Sequence, residues 1–279
     1  MWIRFRNNFQ GMLGLVILSL ILTLAVIGPS LSGYTYDQTH LALKNTPPSP
    51  QFWFGTDDLG RDLFTRVWYG ARISLAVGVT AAFIDLIIGV LWGGVSGFAG
   101  GYTDTVMMRI ADIFYCLPYL LIAILLTAIF GSGFFSIIIA LTFLGWITMA
   151  RIVRGQILLL REMEYIWAAK AMGASFSRIL FKHLLPNASG PILVTVTLTI
   201  PGAIFAEAFL SFLGLGIQAP MASWGSMTND GLAALQFYPW RLFFPSFFIS
   251  LTVLAFYLIG EGLKSSLNKS ESPEGVSHV

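Results

Sequence analysis

The sequence predicts an all-α membrane protein, a bundle of six transmembrane helices, and two observations carry that reading. Hydrophobic residues make up 56% of the 279 residues and charged residues only 11%, with a mean hydropathy of +0.77, far from the composition of a soluble domain. Six apolar stretches are long enough, at 1.5 Å rise per residue, to cross a hydrocarbon core of about 30 Å. In lipid each stretch must pair its own backbone polar groups, so each is a helix.

In chain order, residues 1–10 form an N-terminal segment with Arg4 and Arg6, followed by span one at about 11–31. That apolar run exceeds an ordinary signal-peptide core, and no clear small-x-small cleavage site follows it, so it reads as a retained helix. The external segment 32–72 carries Pro47, Pro48 and Pro50 and reads as irregular before Gly55-Thr56-Asp57-Asp58-Leu59-Gly60-Arg61-Asp62. In that motif Asp57 and Asp62 are expected to satisfy local backbone donors and to pair with Arg61 or Arg66, forming a structured cap. Span two (73–98) carries Asp85. Span three (113–130) holds Cys116, the only cysteine, which excludes an intrachain disulfide and reads as buried and inert. Gly131-Ser132-Gly133 suits a tight hairpin into span four, 134–150. Span five (192–215) contains Pro201-Gly202, expected to kink it, and Glu207. Trp224 in Ser223-Trp-Gly225 is expected to anchor at the membrane interface. Span six (242–260) precedes a polar tail, 264–279, expected to be disordered.

Lys and Arg placement sets the orientation. With the N-terminus cytoplasmic, only Lys44, Arg61, Arg66, Arg72 and Arg241 lie outside, and the other eleven of the sixteen basic residues lie inside. Both termini and the basic loop 151–189 are therefore expected in the cytoplasm.

That loop is the most informative segment. Phe176, Ile179, Leu180 and Leu184 recur at helical spacing on one face while Ser177, Arg178 and Lys182 fall elsewhere. Ser175 is placed as an N-cap, Gly173 as the permissive end of a preceding helix over 165–172, and Pro186 as the stop. Such a unit can lie on lipid headgroups, pack on its own bundle, or dock into a groove on another protein.

Asp85 and Glu207 are the two acids inside spans. A translocation path explains both; helix-to-helix hydrogen bonding is the alternative. Chemical motifs are otherwise lacking: the sequence holds no phosphate-binding G-x-x-x-x-G-K-[ST], no H-E-x-x-H and no G-x-S-x-G. His40, His183 and His278 are scattered and form no metal cluster, and Ser266 and Lys269 match S-x-x-K by spacing alone. The flanking spans argue against nucleic acid as a partner of the basic loop. The chain reads as non-catalytic and without a cofactor.

Ala168-Ala169, Gly173 and Leu185-Pro186 keep the spacing of the EAA loop of ATP-binding-cassette importer permeases. Over about 54–267, Gly55-Thr-Asp…Gly60-Arg61-Asp62, Gly145-Trp146…Arg151…Arg154, His183-Leu-Leu-Pro-Asn187, Glu207–Gly216 and Ser223-Trp-Gly225 resemble the second permease of the peptide and nickel subgroup. Trp167 departs from the family's glutamate, with Glu164 one turn back, and His183 stands where families outside this subgroup carry isoleucine. The resemblance implies a type I importer permease in the bacterial inner membrane, paired with a homologous permease as a heterodimer. It also implies two cytoplasmic ATPases that hydrolyse the ATP, an extracytoplasmic solute-binding protein and a peptide substrate, with nickel or another small solute as the alternative cargo. It casts Glu164, Trp167, Ala168, Ala169, Lys170, Gly173, Phe176, Arg178, Ile179, Lys182, His183, Leu185 and Pro186 as the ATPase-coupling residues. Phe176 or Ile179 would anchor in the ATPase groove, and Lys170, Arg178 and Lys182 would meet acids at its rim. The rival class is an ion-coupled secondary transporter using Asp85 and Glu207.

Overall fold

The computed structural model describes residues 2–268. Helix α1 (Trp2–Arg6) turns at Asn8, whose side chain accepts the Gly11 N–H at 2.9 Å, into α2 (Phe9–Leu31). Pro29 lies inside α2 and has no N–H for the Ala25 carbonyl four residues back. Arg72 supplies the missing donor, its Nε reaching Ala25 O at 2.6 Å and Nη2 reaching Val26 O at 2.7 Å.

Helix α3 (Leu63–Ala99) starts ten residues before the expected second span. Asp62 explains the early start, because its carboxylate accepts both the backbone N–H and the hydroxyl of Thr65. Helices α4 (Gly101–Tyr115) and α5 (Tyr119–Phe130) replace the straight third span with a pair bent by 79°. Pro118 accounts for the break, since it lacks a donor and pushes Leu117 away from the helical region. Cys116 sits at the bend and is exposed, not buried.

Helix α6 (Phe134–Leu160) runs ten residues past the expected end of span four, so the basic loop begins as a continuation of the span. After it come α7 (Glu164–Ala171), α8 (Phe176–Ile179), a π-turn over Leu180–Leu184, α9 (Leu185–Asn187) and α10 (Ser189–Phe212). Pro186 does not stop the chain's helical course. The wider π-turn, in which Leu185 N–H bonds Leu180 O, lets the chain pass the proline and continue. Helices α11 (Trp224–Ala233) and α12 (Trp240–Asn268) complete the fold. Residues 264–268 of the expected disordered tail are helical here, and 269–279 lie outside the described residues.

Among the described residues five helices, α2, α3, α6, α10 and α12, are long and apolar enough to cross a membrane, or six spans when the bent α4–α5 pair is counted as one. The tightest pair is α3 with α6. Gly89, Gly93 and Gly97 form a small-residue stripe on α3, and side chains there would press on Met149, Ala150 and Ile157 of α6. Packing runs the length of the bundle, from Trp68, Trp224 and Ile204 at the start of α3, through Ile137, Leu141 and Leu210, to Met149, Val153 and Ile157 near the end of α6.

Candidate functional site: an exposed helical unit, two buried acids and a cap

The unit after α6 is built around two turns. Gly173, at φ +78°, ends α7 in a left-handed residue. Its N–H bonds Lys170 O at 2.9 Å and the Ala174 N–H bonds Ala169 O at 3.0 Å, the reciprocal pattern that closes a helix C-terminus. No other atom lies within 4 Å of where a Gly173 side chain would begin, so the backbone angle, rather than crowding within this chain, calls for glycine. Ser175 caps α8 by accepting the Arg178 N–H at 3.4 Å.

The apolar face of the unit is spent on its own bundle. Ile166, Ala169, Ile179, Leu180 and Leu184 are buried against Val153 and Ile157 of α6 and Val90 and Val95 of α3. Ile179, at 2% exposure, therefore offers no anchor to another protein. Phe176 stays 45% exposed but rests on Phe98, ring centroids 4.6 Å apart. The outward surface is formed instead by Trp167 (55% exposed) and Met172 (82%), with Glu164, Ala168, Lys170, Gly173, Arg178, Lys182 and Pro186 also exposed. His183 and Leu185 are half-buried. Lys170 lies 4.7 Å from the Trp167 ring, so the residue that replaces the family's glutamate holds a cation by its π face. Glu164 remains in the first turn of α7, where the helix dipole favours it. Met172 and Phe181, the latter 54% exposed, escaped sequence reasoning because the helical periodicity assigned attention to the buried face.

Polar ties fix this end of the bundle. Arg154 makes a two-pronged pair with Asp104, both contacts 2.6 Å, and Arg151 reaches Asp112 at 2.7 Å, so α6 is pinned to α4. Arg161 donates to the Gly97 carbonyl at 3.0 Å where α3 ends.

The two intramembrane acids separate. Asp85 faces a cavity of about 710 Å³ among α3, the α4–α5 bend, α6 and α10, whose walls include Tyr119, Leu141, Thr148, Thr195 and Thr199. It packs on Gly145, where any side chain would collide with the carboxylate. Glu207 lies away from this cavity, fully buried. It accepts Ser74 Oγ at 3.1 Å and Ser211 Oγ at 2.7 Å, while Ser74 Oγ also takes the Trp224 N–H at 3.1 Å. Glu207 thus joins α3, α10 and the start of α11, the helix-to-helix role. Trp224 is buried beside it, its indole bonded to Val67 O at 2.9 Å, and is no interfacial anchor.

At the opposite end the 32–62 segment is an ordered cap. Thr46 and Thr56 exchange bonds, Thr46 N–H to Thr56 Oγ1 at 2.8 Å and Thr56 N–H to Thr46 O at 2.9 Å. Gly55 and Gly60 both take positive φ. Asp57 accepts the backbone N–H groups of Leu59 and Arg61, each at 2.9 Å, and pairs with Arg61 at 2.6 Å and Arg66 at 3.4 Å. Arg241 of α12 reaches Asn45 at 3.1 Å and Asp58 at 3.3 Å, locking the cap to the last span.

Comparison with known proteins decides the family. The family described as binding-protein-dependent transport system inner membrane component matches residues 86–271, and the N-terminal transmembrane domain of oligopeptide transport permease C matches residues 1–48. The chain belongs to this permease family. The oligopeptide transport system permease protein OppC of Bacillus subtilis is 57% identical over 266 residues, covering 95% of this chain and 87% of that one. The dipeptide transport system permease protein DppC of the same organism is 57% identical over 268 residues, covering 96% and 84%. OppC of Escherichia coli K12 is 42% identical over 270 residues, covering 96% and 89%. An inward-facing structure of the MetNI methionine ABC transporter shares the fold, with a TM-score of 0.57, 20% identity and coverage of 73% of the permease and 95% of that chain. The permease is therefore an all-α membrane subunit of a transport system, with the architecture of an ABC importer permease.

Proposed function

We propose that this permease pairs with a homologous permease to form the pathway for di- and oligopeptides, supplied by an extracytoplasmic binding protein and driven by two cytoplasmic ATPases. Both termini and the 161–188 unit face the cytoplasm in this reading, as the distribution of Lys and Arg requires. The observation that carries it is the coupling unit: one face riveted to α3 and α6, the other presenting Trp167, Lys170, Met172 and Gly173 at the exposed surface. A partner can shift a two-state bundle only through contacts that differ between the states, and a unit fused by its core to two spans transmits such contacts as a lever. The 57% identity to OppC and DppC supports peptides as cargo.

The test is Gly173→Trp in the complete transporter. The variant inserts and assembles with its partners, ATP hydrolysis continues, and peptide uptake is lost. Normal uptake by Gly173→Trp would refute the lever, and wild-type uptake of nickel but not of peptide would refute the cargo.

A further inference from the structure

Asp85 is 4% exposed, and its Oδ1 is sealed from the surface with no hydrogen-bond partner. An ionised carboxylate in that position needs a cation or several donors. The permease does not supply them: among the described residues, no Lys, Arg or His lines the cavity. On α6, which forms one wall, Arg151 is engaged with Asp112 and over the Tyr115 ring, and Arg154 with Asp104.

Three of the hydroxyls on the wall, those of Thr195, Thr199 and Tyr119, are turned toward accepting. Thr195 donates its hydroxyl proton to Pro191 O at 2.8 Å, Thr199 to Thr195 O at 3.0 Å, and Tyr119 to Leu141 O at 3.4 Å. Each then has only lone pairs to offer the cavity. An unpaired carboxylate with three such acceptors on a largely apolar wall fits a compact cation with several N–H donors. Peptides of differing sequence share one such group, the α-ammonium at the N-terminus.

We infer that Asp85 is the specificity-determining receptor for the α-ammonium group of the peptide in transit, with Tyr119, Thr195 and Thr199 as auxiliary acceptors. This rests on the peptide reading above. It gives the permease a means of holding peptides irrespective of side chains, and it accounts for a buried acid that Gly145 accommodates without pairing.

The test uses the complete transporter in proteoliposomes with labelled trialanine. Asp85→Asn raises the half-saturation concentration about tenfold or more, since a buried acceptor has lost its charge, while Asp85→Glu recovers part of the loss. A second probe carries photo-leucine as its N-terminal residue followed by two alanines; on irradiation it labels the wall around residues 85, 119 and 199 in the wild type, and less so in Asp85→Asn. Unchanged half-saturation in Asp85→Asn, or labelling confined to other walls, overturns the assignment. The photolabel in the wild type decides the matter by itself should the variant fail to assemble. A wild type that moves no peptide sinks the parent reading and this inference with it, whereas a wild type that moves peptide beside an unaffected Asp85→Asn sinks this inference alone.

Discussion

At Gly173 two demands can be told apart by substitution. The left-handed backbone costs an ordinary residue roughly 1–2 kcal/mol, and Asn less than Ala because Asn tolerates that region. If the angle alone matters, Gly173→Asn keeps most uptake and Gly173→Ala loses more. If an ATPase surface closes over the residue, both lose uptake together, because the space that is open within this chain is then filled by the partner. Uptake of the two variants, normalised to membrane level, separates the cases. Arg72 makes a purely structural contrast. Replacing it with Met leaves Ala25 O and Val26 O without their donor beside Pro29, a loss of about 1–3 kcal/mol. The midpoint of thermal unfolding in detergent falls in Arg72→Met, and a Pro29→Ala, Arg72→Met double variant recovers part of it because the Ala25 carbonyl regains its helical donor.

Among the elements, the coupling unit depends on α6 staying fixed to α4. The Asp104–Arg154 pair is two-pronged, with Asp104 only 12% and Arg154 33% exposed, so removing the acid leaves a partly shielded cation. Asp104→Asn is expected to cost roughly 1–2 kcal/mol after solvent screening of the more exposed partner. Limited proteolysis after Arg161 should speed up in this variant, and an unchanged cleavage rate would show that the apolar packing alone holds the unit. This pair was not legible in the sequence, because Asp104 and Arg154 are fifty residues apart and no local period links them. What was legible followed from local rules: apolar length marked the spans, and Gly173 and Ser175 marked the two turns of the unit. Pro186 misled, because proline forbids one hydrogen bond and not the π-turn that avoids it. Ile179 misled for a related reason: an amphipathic face announces burial without saying whether the cover is another protein or the chain's own bundle. Asp85 and Glu207 carry the same local signal, a carboxylate in an apolar helix, and only the hydroxyls contributed by Ser74 and Ser211 from α3 and α10 told them apart.

Across the whole molecule the cap and the coupling unit occupy opposite ends of α3, which runs unbroken over Leu63–Ala99 and packs on α6 through its glycine stripe. A displacement imposed on Ile179 and Leu180 must therefore be carried by α3 and α6 together, because the close-packed interface between them leaves no room for sliding. The cavity at Asp85 lies between these ends, bounded by both helices and by the α4–α5 bend. A cysteine at Phe181, placed in a Cys116→Ser background, reports on the scheme. In inside-out vesicles a membrane-impermeant maleimide labels Phe181→Cys, and assembly with the ATPases protects it. Labelling of that position from the exterior of intact cells would reverse the orientation and with it the direction in which the lever acts. Labelling from the inside that the ATPases never slow would leave the orientation standing but move their docking surface from Phe181 toward Trp167 and Met172.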